Sequence, residues 1–306
     1  MSRIGAGFSG VERVVVSCLG LKTEIASRFC LAINALQDRF RCVLGEVYDV
    51  SSASSFLLGD GTYDLDMWAR VVYAGGAASD HKDDRRSISN DLGSVNMVLT
   101  DLPYGDPQDV GGNEHGYFSS FGSDEIDGLR GLDIVSTNPW SAIFGEHKVV
   151  EYLLMMFSSW ILGRVDATME VEYHDQTRGC LFDYCMDTGD MMRLIELREE
   201  IRAPLCAQCW RSIDVGLRRG TYRVDEVASA MRVFWRSMGI RSAFIAVPYS
   251  SAQENGAIES ALNEAHVKTF RSDRFNFIKD IEIRMRVLIK CVDTIVADVS
   301  TDNPNV

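Results

Sequence analysis

The sequence lacks several features that would assign it quickly. It has no basic opening followed by a long apolar run, and its most apolar stretch, Val149 to Leu162, is interrupted by Glu151 and is too short to cross a bilayer. The expectation is a cytoplasmic protein with no membrane partner. Positive charge is in short supply: 31 Lys and Arg against 44 Asp and Glu leave a formal net charge of −13. That balance argues against polymeric nucleic acid as a partner, because proteins that bind long phosphate backbones carry clustered basic side chains for counterion release. A pocket for one nucleotide remains compatible with it, since helix N-termini and backbone amides hold a phosphate without net basicity. The chain contains no His-Glu-x-x-His, the pairing that sets two zinc ligands and a base on one helical face. Nor does it contain an internal repeat or a low-complexity tract.

Apolar residues make up 46% of the 306 positions and charged residues 25%, so the chain can bury a real core, and its length suits two or three domains. The predicted class is α/β. Arg13 to Cys18 (RVVVSC) reads as a buried strand, Thr23 to Phe40 as a helix and Cys42 to Tyr48 as a second strand. The Gly- and Asp-rich span from Gly59 to Asp91 suits loops. Val95 to Leu99 and Leu132 to Thr137 read as further strands, and Glu146 to Leu162 as a helix that packs Trp140, Met155, Met156 and Trp160 in the core. His81 and His115 read as solvated loop residues. This organisation predicts an N-terminal α/β domain over 1–165, a cysteine-rich metal-binding segment over 166–222, and a linker helix with a partial Rossmann-like, doubly wound parallel sheet over 223–306.

Eight cysteines in a reducing compartment should mostly be reduced, and four of them gather in the middle segment. Cys206-Ala-Gln-Cys209 is a tight pair, because a two-residue spacer lets one turn aim both sulfurs at a single ion. Cys180 and Cys185 supply a second, less regular pair. Cys180, beside Gly179 and the apolar Leu181-Phe182, also reads as a core thiol, and His174 would then replace it as a ligand. The expected metal is zinc in a structural role, set against two alternatives: buried cysteines without a ligand, and a redox use of the Cys206/Cys209 pair.

The C-terminal pattern is strand (Ala243 to Tyr249, AFIAVPY), helix (Asn255 to Ala265), a link with Arg271 and Asp273, helix (Phe277 to Cys291), then a strand running into Ile295-Val-Ala-Asp-Val-Ser-Thr-Asp-Asn-Pro-Asn-Val306. In an open parallel sheet, ligands lie beyond the carboxyl ends of the strands, so the loops after the two strands would face one crevice. This combination resembles the nucleoside 2-deoxyribosyltransferase-like family of bacterial proteins. The resemblance implies a nucleoside or nucleotide ligand and an N-glycosidic cleavage or transfer reaction. Pro248 and Tyr249 would line the pocket, with Arg271 and Asp273 as further candidates. Asp298 would face the base or ribose and is the one catalytic candidate. Asn303 and Asn305 would shape the turn before the family's nucleophilic Glu, which would follow Val306. The same residues have plain structural uses: Tyr249 as a strand-end aromatic, Asp298 as a cap, Asn303-Pro304 as a turn.

Two other function classes stay open in the sequence. One is a non-enzymatic nucleotide sensor or protein-interaction module with a degenerate site, with a protein partner or a homo-oligomer as its assembly. The other is a peptidase-derived N-terminal domain.

Overall fold

The structure, a computed structural model, describes residues 12–37, 40–59, 61–69, 71–72, 94–104, 119–120, 132–138, 140–165, 174, 176–183, 188–197, 204–246, 252–271 and 281–297. The chain is mixed α/β, with one mainly parallel and one parallel sheet, and divides into two compact units, Met1–Leu153 and Leu154–Val306.

In the first unit the central strand is β1 (Glu12–Leu19), covered on both faces: Val14, Val16 and Cys18 are buried on one side and Ser17 and Leu19 on the other. Helix α1 (Thr23–Leu36) follows it and turns Ile25, Ala26, Phe29, Cys30 and Ile33 inward, the spacing of one helical face. Strand β2 (Phe40–Tyr48) then returns parallel to β1 on one side. A 3-10 helix (Val50–Phe56) and helix α2 (Leu65–Ala69) precede β3 (Ser94–Thr100), which pairs parallel with β1 on its other side. Beyond it lie β4 (Ser119–Ser120) and β5 (Leu132–Ser136), in the order β2-β1-β3-β5-β4; β5 is parallel to β3 and β4 antiparallel to β5.

The Gly59 to Asp91 span, expected as loops, carries part of this core. Leu65, Trp68 and Ala69 of α2 are fully buried against Leu19, Ala53, Val98 and Ile134, and Trp68 meets Tyr48 edge-on at 5.3 Å between ring centroids. The loop composition concealed a single helical turn anchored by one tryptophan. His81 and His115 lie outside the described residues.

Helices α3 (Trp140–Phe144) and α4 (Glu146–Val165) follow β5, and the division between the units falls within α4. Trp140 stacks on Tyr152 at 5.3 Å, while Phe157 stacks on Trp160 at 4.7 Å. Trp140, Met155 and Trp160 are buried, which agrees with their expected packing role; Met156 is only half-buried.

The second unit continues with α5 (Thr188–Glu196), α6 (Ala207–Arg219), α7 (Val224–Ser237), β6 (Arg241–Ala246), α8 (Ala252–Glu264), β7 (Val267–Arg271), α9 (Ile281–Cys291) and β8 (Thr294–Ala297). The three strands run parallel in the order β7-β6-β8. The sequence reading treated the β7 region as a link, because Val-Lys-Thr-Phe-Arg is half polar; it is an edge strand with one fully covered side chain, Phe270, stacked on Trp235 at 4.9 Å. Helix α7, expected to link two domains, buries Val227, Ala230, Met231, Phe234 and Trp235. Its Arg232 donates to the carbonyls of Lys290, Cys291 and Val292 at the end of α9. Asp293, just beyond, accepts from the Ser242 amide at 2.9 Å and from Arg236 at 2.7 Å, so the entry to β8 is tied to both β6 and α7.

No described helix is long and apolar enough to cross a membrane.

Helix α6 ends at Gly220 in the left-handed region (φ 75°), with the amides of Thr221 and Tyr222 returning to the Gly216 carbonyl. The Cδ2–Cε2 edge of the buried Tyr222 ring lies against Gly216: a Cβ there would sit 2.2 Å from Tyr222 Cδ2 and 2.5 Å from Cε2. Gly216→Ala is therefore expected to destabilise the protein by about 1–3 kcal/mol through overpacking, read as a lower urea midpoint at unchanged slope. An unchanged midpoint would contradict this packing.

Candidate metal centre

Four potential metal donors of the second unit converge: His174, Cys180, Cys206 and Cys209, each offering one ligand atom, with all four atoms within 4.8 Å of one another. Cys206 is half-buried and the other three are buried. The imidazole faces the thiols through Nε2, 3.0 Å from Cys209 Sγ and 3.4 Å from Cys206 Sγ. Its other nitrogen, Nδ1, lies 2.8 Å from Asp183 Oδ1.

Local chemistry explains each position. Cys206 caps the N-terminus of α6 in extended conformation and Cys209 sits in the first turn, so the two-residue spacer places both sulfurs on one side of the helix start. Exposed amides and the positive end of the helix dipole favour thiolate there. His174 and Asp183 form an isolated parallel bridge, with the His174 amide donating to the Phe182 carbonyl at 3.0 Å. Between them Gly179 takes φ 81°, the left-handed turn that lets the loop fold back. Asp183 Oδ2 accepts from the amides of Arg178, Gly179 and Cys180 at 2.8, 2.6 and 2.9 Å. Two further bonds dock this loop: the Leu181 amide to the Pro204 carbonyl at 2.9 Å, and the Cys206 amide to Cys180 Sγ at 3.3 Å.

A hydrogen bond from the Cys209 thiol, the largest influence, pulls the Cys180 thiol down to about 6 against the opposing effect of burial. Cys209 is pushed up in return, first by that bond and then by burial. One negative charge is thus favoured within the cluster, poised for a cation.

The cluster fits zinc. In a tetrahedral site with Zn–S near 2.3 Å, sulfurs stand about 3.8 Å apart, compatible with donor atoms that all lie within 4.8 Å of one another. One imidazole and three sulfurs is an ordinary closed zinc set, and four protein ligands leave no position for a reacting water.

Helix α6 connects this site to the parallel sheet. Immediately after Cys209, Trp210 lies beneath the Arg284 guanidinium of α9, 5.6 Å from the ring centroid, and Arg284 pairs with the buried Asp214.

Of the expected site residues, the structure brings Cys180, Cys206 and Cys209 together with His174, which the sequence offered only as a substitute. Cys185 lies outside the described residues, as do Pro248, Tyr249, Asp273, Asp298, Asn303 and Asn305. Arg271 ends β7, where its guanidinium donates to Glu259 at 3.2 Å. Sequence reasoning missed Asp183, although it stands in the same Gly-Cys-Leu-Phe-Asp run as Cys180.

No family model and no curated protein matches the chain. Among solved structures it is similar to a zinc-dependent peptidase from Methanocorpusculum labreanum, at TM-score 0.39 and 13% identity over 65% of this chain and 99% of that one. It is also similar to the archaemetzincin of Archaeoglobus fulgidus complexed with malonate, at TM-score 0.38 and 8% identity over 65% and 99% of the two chains. The archaemetzincin of Methanopyrus kandleri follows, at 0.37 and 12% over 69% and 98%. At these scores the likeness transfers neither fold nor activity to the present chain.

The nucleoside 2-deoxyribosyltransferase kinship expected from the C-terminal strands is corrected here. No family model supports that kinship, and these three structures are a zinc-dependent peptidase and two archaemetzincins, none of them named as a deoxyribosyltransferase. The readings of N-glycosidic cleavage and transfer fall with it. The physical reason is that parallel strands joined by helices, with polar turns at their carboxyl ends, recur across α/β proteins of unrelated chemistry.

Burial pushes Cys18 up to about 11 and Cys291 up to about 12. At pH 8 each is then thiolate in no more than roughly one molecule in a thousand. In native protein treated with chelator, a chromogenic disulfide reagent is expected to modify the cluster thiols, the half-buried Cys206 first, while Cys18 and Cys291 stay silent until denaturant is added. Mass mapping of the labelled peptides checks the order, and early labelling of Cys18 or Cys291 would contradict it.

Proposed function

We propose that the protein holds one structural zinc ion on His174, Cys180, Cys206 and Cys209, and that this ion fastens the start of α6 to the loop from His174 to Asp183. The observation that carries this reading is the convergence of four donors at zinc spacing around a fixed imidazole. When bound, zinc supplies charge compensation for the thiolates and a covalent-like cross-link between segments distant in sequence. On this reading the chain is laid out as an N-terminal α/β unit, a cysteine-rich metal-binding segment, and a C-terminal parallel-sheet unit docked on α6 and α7.

The peptidase-derived reading that the sequence left open is compatible with such a scaffold, and zinc is common to both. Hydrolysis by this zinc is not part of the proposal. A hydrolytic zinc needs an open coordination position and a nearby base, whereas this donor set is closed and the chain has no His-Glu-x-x-His.

Metal analysis of protein purified from zinc-supplemented cells is expected to give one zinc per chain. The Cys206→Ser/Cys209→Ser double variant should retain well under a tenth of that, with a lower Tm than the wild type. Chelation of the wild type should lower its Tm towards that of the variant. Wild-type protein free of zinc, or a double variant that keeps it, would overturn the proposal.

A further inference from the structure

We infer that Asp183 is the positioning residue of the zinc site, setting the tautomer of His174 with one carboxylate oxygen and the backbone that presents Cys180 with the other. The inference rests on the four-ligand zinc site proposed above. A neutral imidazole carries one N–H and one lone pair, so whichever nitrogen donates, the other must accept or bind metal. Asp183 Oδ1 lies 2.8 Å from Nδ1, and an ionised carboxylate only accepts. The proton is thereby held on Nδ1, and the Nε2 lone pair faces the sulfurs of Cys206 and Cys209.

Oδ2 is fully used by three amides, those of Arg178, Gly179 and Cys180, and the side chain is wholly buried. One carboxylate therefore aligns two of the four ligands, from two faces of the same loop. Outer-shell carboxylates of this kind fix ring orientation and raise ligand basicity.

Asn at 183 cannot do both tasks, because it has one acceptor oxygen where Asp has two. With that oxygen on the three amides, its NH2 group donates to Nδ1 and moves the ring proton onto Nε2, into the metal position. With the oxygen on Nδ1, the NH2 group opposes three N–H donors. Either arrangement damages half of the alignment.

The test is chelator competition for zinc by wild type and Asp183→Asn, together with long-range 1H–15N NMR of the His174 ring in metal-free protein. Zinc affinity is expected to fall about 10- to 100-fold in the variant, at unchanged stoichiometry under saturating zinc. The metal-free wild type should show the Nδ1–H tautomer and the variant a shift towards Nε2–H, a change that a merely structural role for Asp183 would not produce. An affinity within twofold of wild type, or an Nε2–H ring in the wild type, would overturn the inference. Wild type that binds no zinc but shows the Nδ1–H ring would sink the zinc reading and leave the Asp183 alignment standing. The wild-type ring measurement needs no variant and holds even if Asp183→Asn fails to fold.

Discussion

The second unit depends on how three thiols and an imidazole are brought into one small buried volume. Without a cation, that grouping is costly: thiolates repel each other and lose hydration, and thiols are poor hydrogen-bonding partners. The arrangement already leans towards charge, since Cys180 is pulled down to about 6 by Cys209. A divalent ion turns this liability into the strongest cross-link available to the segment. In small zinc modules such binding contributes on the order of 10–16 kcal/mol.

The cross-link matters because of where its ends lie. One end is the loop around Gly179, which has little regular structure of its own and is organised by the Asp183 carboxylate. The other is the N-terminus of α6, a helix that continues through Trp210 and Asp214 to Arg284 of α9. From α9 the chain enters β8 through Asp293, which is held by Ser242 of β6. A continuous series of packed, hydrogen-bonded groups thus runs from the metal ligands to the parallel sheet. On the proposed reading, zinc is an architectural element of the unit.

How legible this was in the sequence depends on the range of each interaction. The apolar run from Arg13 to Cys18 and the helical spacing from Glu146 gave elements close to the observed Glu12–Leu19 and Glu146–Val165, because such burial patterns are written locally. Cys206 and Cys209 were readable for the same reason, as both ligands sit on one turn. His174 was underrated and Asp183 missed, because their pairing spans nine residues across a left-handed glycine turn that leaves no periodic trace. The β7 strand was overlooked because an edge strand with one covered side chain lacks strong alternation. The largest error was the kinship assigned to the C-terminal strands. Strand, turn and helix order reports backbone architecture, whereas reaction chemistry resides in a few side chains whose convergence only three dimensions reveal.

X-ray absorption at the zinc edge reads the ligand shell itself and tests the central claim most directly. The account predicts one nitrogen at about 2.0 Å and three sulfurs at about 2.3 Å. A shell of four sulfurs would replace His174 by another cysteine, and a shell of oxygen and nitrogen alone would remove the site; either result contradicts the assignment made here.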